Sequence, residues 1–142
     1  MLSNNAFFSG VEAASLVRVL PAFRVATFPP HAVLYGRGRP AHELFLILRG
    51  SVAVVQRTGH VRTTIAVLGP GEFTGERALL LPATLHPWSA VCCEETVVAV
   101  AEGVALLGAL TALPALGVNV ARGLHRRVLD ATFAIDALIA GR

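Results

Sequence analysis

The residues that could perform chemistry in this chain are few, and their spacing fits no known catalytic arrangement. There are five histidines, two cysteines and nine acidic residues. The adjacent Cys92 and Cys93 could combine with His86, but this set lacks a fourth ligand at a spacing typical of zinc sites. The chain contains no lysine, which excludes a Schiff-base lysine and a Walker A phosphate loop. We therefore expect no catalytic residues, no metal site and no enzymatic activity.

The cysteines and the hydropathy bear on where the protein works. Neighbouring side chains of a strand point to opposite faces, so Cys92 and Cys93 should stay unpaired, and free thiols suit the reducing cytoplasm. The N-terminus lacks the basic and apolar segments of a secretory signal. Mean hydropathy is +0.64, yet Glu102 and Pro114 interrupt the most apolar stretch, 96–121, which does not suit a membrane span. We expect a cytoplasmic protein with no membrane partner.

Length and composition predict a single folded domain over residues 1–142. A chain of 142 residues can bury one sizeable core. Hydrophobic residues make up 54% and charged residues 15%, which argues against disorder. The net charge of +3 comes from arginine alone and weakly favours an anionic partner. The arginines are scattered, however, which is also typical of solvated surface charge.

The middle of the chain has a β pattern. Between residues 25 and 101, short β-rich runs alternate with glycine and proline, which predicts an all-β roll or barrel. The unbroken apolar run 43–48 predicts a strand buried on both faces. Residues 58–60 predict a hairpin turn. We expect a final strand pair at 88–93 and 96–101.

Helical patterns flank the β region. Residues 9–20 predict a short helix, with Ser9 as its cap and Glu12 completing a capping box. Residues 104–113 predict a second short helix, and residues 115–140 a long one. Heptad spacing predicts that this last helix dimerises, although it could also dock on its own domain. The dimerisation seam comprises Leu124, Val128, Ala131, Ile135 and Leu138, preceded by Ala121.

Three segments resemble the cyclic-nucleotide-binding domains of catabolite-activator and FNR-type regulators. Residues 28–38, FPPHAVLYGRG, resemble the opening of that domain, and residues 43–52, ELFLILRGSV, its strand–turn–strand. Residues 69–80, GPGEFTGERALL, resemble the entrance to its phosphate-binding cassette. The resemblance extends over residues 20–140. It implies a mainly β fold with flanking helices, a double-stranded β-helix (β-roll), followed by a long C-terminal dimerisation helix.

The resemblance also implies a site for a small anion such as a cyclic nucleotide. Backbone N–H groups of Ala78 and Leu79, on the first turn of a short helix, would cradle the phosphate. Gly75 would let the backbone approach the ligand closely. Glu76 would accept a hydrogen bond from a ribose hydroxyl, and Ser89 would donate one to the phosphate. The candidate ligand-binding residues are Gly75, Glu76, Ala78, Leu79, Trp88, Ser89 and Ala90.

The sequence departs from the family pattern at one position. In the family an arginine precedes the small pair that Ser89 and Ala90 form here, and Trp88 stands in its place. Counted forward from Glu76 instead, that place falls on His86. Trp88 could be a stacking platform for a base or could fill the pocket. Two functions therefore stay open: a sensor that binds a small anionic ligand and signals through a dimeric C-helix, or a degenerate domain that serves as a dimerisation or docking scaffold.

The expected partners follow from the same resemblance. We expect a homodimer formed through the C-helix, a small anionic ligand, and a protein partner that responds to the C-helix. A cyclic nucleotide would be an effector, and we expect no other cofactor. Regulators of this kind continue into a helix-turn-helix, whereas this sequence stops at Arg142, so we expect no direct DNA binding.

Overall fold

The computed structural model describes residues 5–79, 84–113, 115 and 117–123. In chain order the elements are the 3-10 helix Ala6–Phe8, α1 (Ala13–Val19), the 3-10 helix Leu20–Ala22, β1 (Phe23–Phe28), β2 (Val33–Tyr35), β3 (Glu43–Arg49), β4 (Val52–Thr58), β5 (Val61–Leu68), β6 (Phe73–Thr74), the 3-10 helix Glu76–Leu79, β7 (Ser89–Cys92), β8 (Thr96–Glu102) and α2 (Gly103–Ala112). The expected mainly β fold with flanking helices is confirmed.

The strands form two antiparallel four-stranded sheets. The first sheet has the order β1-β8-β3-β6, and the second has the order β2-β7-β4-β5. Successive strands such as β2 and β3 lie in different sheets, so the chain winds between the two, as expected for a β-roll. The hairpin turn expected at residues 58–60 is confirmed, since β4 and β5 pair on either side of it, with Thr58 opposite Val61.

Both strands of the expected final pair are present, but their pairing is wrong, because β7 and β8 belong to different sheets. Strand β8 lies between β1 and β3, whereas β7 lies between β2 and β4. Their burial explains the separation. Residues 96–101 of β8 are buried on both faces and suit the centre of a sheet covered on both sides. Strand β7 alternates between half-buried and buried residues, which suits a sheet with one core face.

Two apolar clusters hold the fold together, one on each face of the first sheet. The helix-side cluster consists of Phe7, Phe8, Val19, Leu44, Leu46, Phe73, Ala99, Ala101, Leu106, Leu113 and Val120. The interior cluster, between the two sheets, consists of Tyr35, Phe45, Ile47, Val52, Val54, Leu68, Ala90, Cys92, Val98 and Val100. Alternate residues of β3 enter the two clusters. The prediction that this strand is buried on both faces is therefore confirmed.

The expected N-terminal helix 9–20 is wrong at its beginning. Helix α1 spans Ala13–Val19, and Ser9 instead follows the 3-10 helix Ala6–Phe8. Glu12 directly precedes α1 but makes no side-chain capping hydrogen bond, so the capping box does not form. The physical reason lies in Phe7 and Phe8. Both rings are buried in the helix-side cluster, so the chain must turn before the α-helix begins.

The C-terminal elements agree with the predictions as far as the described residues extend. Helix α2 matches the expected helix 104–113 to within one residue at each end. Residues 117–123 are helical, which agrees with the beginning of the expected helix 115–140. The seam residues Leu124, Val128, Ala131, Ile135 and Leu138 lie outside the described residues. No helix in the described part of the chain is long and apolar enough to cross a bilayer.

Candidate ligand site

The entrance to the candidate site is the short segment from β6 into the following 3-10 helix, and we call its residues 75–79 the cassette. Gly75 joins the two with a φ of +83°, in the left-handed region that favours glycine. A Cβ atom at Gly75 would lie 2.5 Å from the carbonyl oxygen of Glu43 on β3. The glycine is therefore required by the packing of this turn against β3. The close approach was expected toward a ligand, but the structure shows it toward the protein's own backbone.

The 3-10 helix Glu76–Leu79 fixes the backbone groups that were expected to bind an anion. The N–H of Ala78 donates a hydrogen bond to the carbonyl oxygen of Gly75 at 3.0 Å. The side chain of Ala78 is buried, and that of Leu79 packs against the helix-side cluster. The Ala78 N–H is thus engaged within the turn, and a ligand would have to compete with the Gly75 carbonyl for it.

The other side of the candidate site is formed by β7 and the residue before it. The three candidate residues here do not all face the same side of the sheet. Ala90 belongs to the interior cluster, and Trp88 packs against that cluster while staying half-buried. Ser89 lies between them in the chain, so its side chain faces the opposite side of the second sheet. Its hydroxyl oxygen accepts a hydrogen bond from the N–H of Arg37 at 2.9 Å. The structure therefore does not bring Ser89 to the same face as Trp88 and Ala90.

His86, on which the arginine's place falls when it is counted forward from Glu76, is a buried residue of this region. Its side chain is 5% exposed, and its ring stacks on Tyr35 with centroids 3.8 Å apart. The Tyr35 hydroxyl in turn hydrogen-bonds to the Thr74 hydroxyl on β6. Tyr35 and His86 lie far apart in the chain, and no periodic pattern in the sequence links them, so the sequence held no signal for the stack.

The electrostatics of His86 favour its neutral form. Burial lowers the pKa of His86 from its usual value of 6.5, and the nearby charges of Arg77 and His42 lower it further. The negative charge of Glu76 acts in the opposite direction and raises the pKa, but it does not overcome the effect of burial. His86 is therefore a poor replacement for a permanently charged arginine at physiological pH.

The cassette is in tight contact with the helices that follow the roll. A Cβ atom on Gly103, the first residue of α2, would lie 1.9 Å from the carbonyl oxygen of Ala78. The N–H of Gly103 donates to the carbonyl of His42 at 2.8 Å. Farther along, a Cβ on Gly123 would lie 2.4 Å from the Phe73 ring next to the cassette. The backbone of Ala78 thus leaves no room for a side chain at the first residue of α2.

The cysteines and the other potential metal ligands are not assembled into a site in the described part of the chain. Cys92 is buried and Cys93 is exposed, and both are free thiols. Burial raises the pKa of the Cys92 thiol, which keeps it protonated and unreactive. Among the residues that the structure describes, no group of three histidine, cysteine or acidic side chains could hold a metal ion.

Comparison with known proteins agrees with this fold. The family profile described as "Cyclic nucleotide-binding domain" matches residues 25–112. The cyclic AMP receptor protein of Thermus thermophilus is 28% identical over 138 residues, which are 96% of this chain and 63% of that protein. The type I-alpha regulatory subunit of cAMP-dependent protein kinase from Mesocricetus auratus is 34% identical over 83 residues, or 56% of this chain and 50% of that protein.

Comparison with a solved structure also agrees with this fold. The crystal structure of the Thermus thermophilus catabolite activator protein superposes with a TM-score of 0.78 at 28% identity, covering 94% of this chain and 62% of that one. The chain thus spans less than two thirds of the length of these relatives. The fold is the β-roll of this family.

Proposed function

The chain belongs to the cyclic nucleotide-binding domain family, and from that premise we propose that it is a regulatory sensor domain with no catalytic activity of its own. It binds a small anionic ligand, a cyclic nucleotide or a related molecule, at the cassette of the β-roll. The relatives described above are a receptor and a regulatory subunit, which favours regulation over catalysis. The free thiols Cys92 and Cys93 favour the cytoplasm as its location.

The observation that carries this proposal is the contact between the cassette and α2. A sensor needs its ligand site to be mechanically linked to the element that transmits the signal. Here the carbonyl of Ala78 occupies the space that a Cβ atom would need if residue 103 were not glycine. A ligand that accepts a hydrogen bond from the cassette backbone would pull on this segment, and the rigid contact would pass the movement to α2.

The signal is proposed to leave through a dimer of the long C-terminal helix. The heptad spacing from Leu124 to Leu138 supports this step. Replacing Leu124 and Ile135 by glutamate should give a monomer by light scattering after size-exclusion chromatography. The matched control is Val104→Glu on α2, which introduces the same charge at a side chain that is 62% exposed. A seam variant that stays dimeric would contradict the proposed interface.

The stack at His86 favours a second candidate function. His86, Tyr35 and Trp88 place three rings in or against the interior cluster, and none of them supplies a permanent positive charge. A domain that has lost its ligand could keep its fold for dimerisation or docking alone. A charge-assisted hydrogen bond contributes about 1.5–3 kcal/mol. Its absence corresponds to a tenfold to hundredfold weaker affinity for a cyclic phosphate.

A thermal-shift experiment separates the two functions. Cyclic AMP and cyclic GMP are titrated to millimolar concentration against the natural chain, Trp88→Arg and Glu76→Gln. A ligand at about a hundred times its Kd stabilises the folded state by about 2.7 kcal/mol. The sensor predicts a shift for the natural chain, a larger one at lower concentration for Trp88→Arg, and a smaller one for Glu76→Gln. No shift for either the natural chain or Trp88→Arg would contradict ligand sensing and support the scaffold.

A further inference from the structure

A cleft lies on the outer face of the second sheet, on the opposite side of that sheet from the interior cluster. It is open to solvent on one side, has a volume of about 640 Å³ and is lined by residues of β2, β4, β5 and β7 and of the loops between them. Its floor includes Ser89 and Val91, which alternate along β7 with the core residues Ala90 and Cys92. Neither Glu76 nor Trp88 lines this cleft, so it is separate from the cassette.

Three arginines surround the cleft. Arg57 and Arg62 are direct partners across the β4–β5 hairpin. Arg37 comes from the loop after β2, and its Nη1 donates a hydrogen bond to the carbonyl oxygen of Arg57 at 3.0 Å. Like charges directly opposite each other on paired strands destabilise a sheet. Arg57 and Arg62 are both exposed, and an anion bound between their guanidinium groups would offset the repulsion between them.

No carboxylate of the described residues supplies that negative charge. Within the described part of the chain, the one ion pair joins Arg24 to Glu43 at 2.6 Å, on the first sheet. Nη1 of Arg37 is engaged with the Arg57 carbonyl, and the other N–H groups of the three guanidinium groups make no ion pair with a described carboxylate, so they can donate to an external anion. Guanidinium groups match phosphate oxygens in a bidentate geometry, and three of them in one cleft suit a doubly charged group.

The floor of the cleft adds a donor and an apolar surface. The Ser89 hydroxyl oxygen already accepts the N–H of Arg37, so its own hydrogen is free to be donated to an anion. Val33 and Val91 are paired neighbours on this face, and Val33 is 58% exposed. A ligand held by its phosphate at the arginines could place an apolar group against these valines.

We propose that this cleft binds a small phosphate monoester that carries an apolar or aromatic group. Its volume is in the range of small-molecule pockets, and its concave shape suits a compact ligand better than an extended acidic peptide. The phosphate contacts Arg37, Arg57 and Arg62 and accepts the Ser89 hydroxyl. The organic group lies on Val33 and Val91. This site is independent of the cassette and gives the domain a second input.

The test is a calorimetric titration of the full chain with phenyl phosphate, at low ionic strength because salt screens such contacts. We expect saturable 1:1 binding, and a tenfold or greater loss of affinity in each of Arg57→Gln and Arg62→Gln. The matched control is Arg18→Gln, an exposed arginine on α1 that does not line the cleft, which should bind as the natural chain does. Circular dichroism verifies that all the variants are folded.

Each other outcome overturns the proposal. Absence of saturable binding up to about 10 mM phenyl phosphate would show that the arginines are ordinary surface charge. Equal affinity in the natural chain and in Arg57→Gln and Arg62→Gln would place the anion elsewhere. Equal affinity for phenyl phosphate and inorganic phosphate would show that the organic group does not contact Val33 and Val91. Binding of an acidic peptide but not of phenyl phosphate would make the surface a peptide site.

Discussion

The contact between the cassette and α2 can be tested by adding a single methyl group. In Gly103→Ala, the new Cβ would stand 1.9 Å from the carbonyl oxygen of Ala78 and 2.5 Å from its carbonyl carbon. These are backbone atoms of a residue whose side chain is buried and whose N–H is held by Gly75, so they cannot move aside without distorting the cassette. Overpacking of this kind costs about 1–3 kcal/mol.

The net effect follows from a second, opposing contribution. Alanine is a better helix former than glycine by at most about 1 kcal/mol. We therefore expect Gly103→Ala to lower the free energy of unfolding by about 1–2 kcal/mol. For a chain of this length that corresponds to a fall in Tm of about 3–8 °C. Urea unfolding followed by circular dichroism measures the free energy, and a thermal melt measures the Tm.

Gly108→Ala is the matched control within the same helix. No atom lies within 4 Å of the position that its Cβ would occupy, so only the helix propensity changes. We expect Gly108→Ala to raise the free energy of unfolding by about 0.5–1 kcal/mol. If Gly103→Ala had the same free energy of unfolding as Gly108→Ala, the cassette and α2 would not be in tight contact. The proposed route of the signal would then be refuted.

Four further predictions test the core and the buried polar groups. Leu46→Ala, at a fully buried site on β3, should lower the free energy of unfolding by about 2–5 kcal/mol in urea. Tyr35→Phe should cost about 1–2 kcal/mol because the buried Thr74 hydroxyl loses a partner, and a double-mutant cycle with Thr74→Val should show a coupling between them. Because burial lowers the pKa of His86, the unfolded chain binds a proton at a pH where the folded chain does not. Stability should therefore fall as the pH drops below about 6.5, and His86→Phe should reduce that slope in urea titrations at pH 5–7. His31 has a φ of 70°, so His31→Gly should raise the Tm or leave it unchanged, whereas His31→Val should lower it.

The sequence predicted the strands well because their signals are local. The apolar run in β3, the turn at Gly59 and the glycines around 69–71 each mark an element without reference to the rest of the chain. The pairing of the strands was harder to predict. The sequence placed β7 and β8 side by side because they are neighbours in the chain, whereas the fold separates them because β8 is buried on both faces. The sheet assignment depends on tertiary burial, which adjacency does not reveal.

The candidate site was predicted only in outline. The sequence predicted a cassette around Gly75 and singled out Trp88, but it could not show that Ser89 faces away from Ala90 and meets Arg37. These two residues are 52 positions apart, and no periodic pattern links them. The stack of His86 on Tyr35 was missed for the same reason. Arg57 and Arg62 each look like scattered surface charge until the hairpin register places them opposite each other.

Hydrogen exchange measured by mass spectrometry tests most directly whether the cassette is a ligand site coupled to the helices. The chain is compared with and without millimolar cyclic AMP or cyclic GMP. We predict slower exchange both in the cassette, 75–79, and in α2, 103–112, because the two share the contact between Ala78 and Gly103. Exchange that slows in neither segment would contradict the ligand site, and exchange that slows in the cassette alone would contradict its coupling to α2.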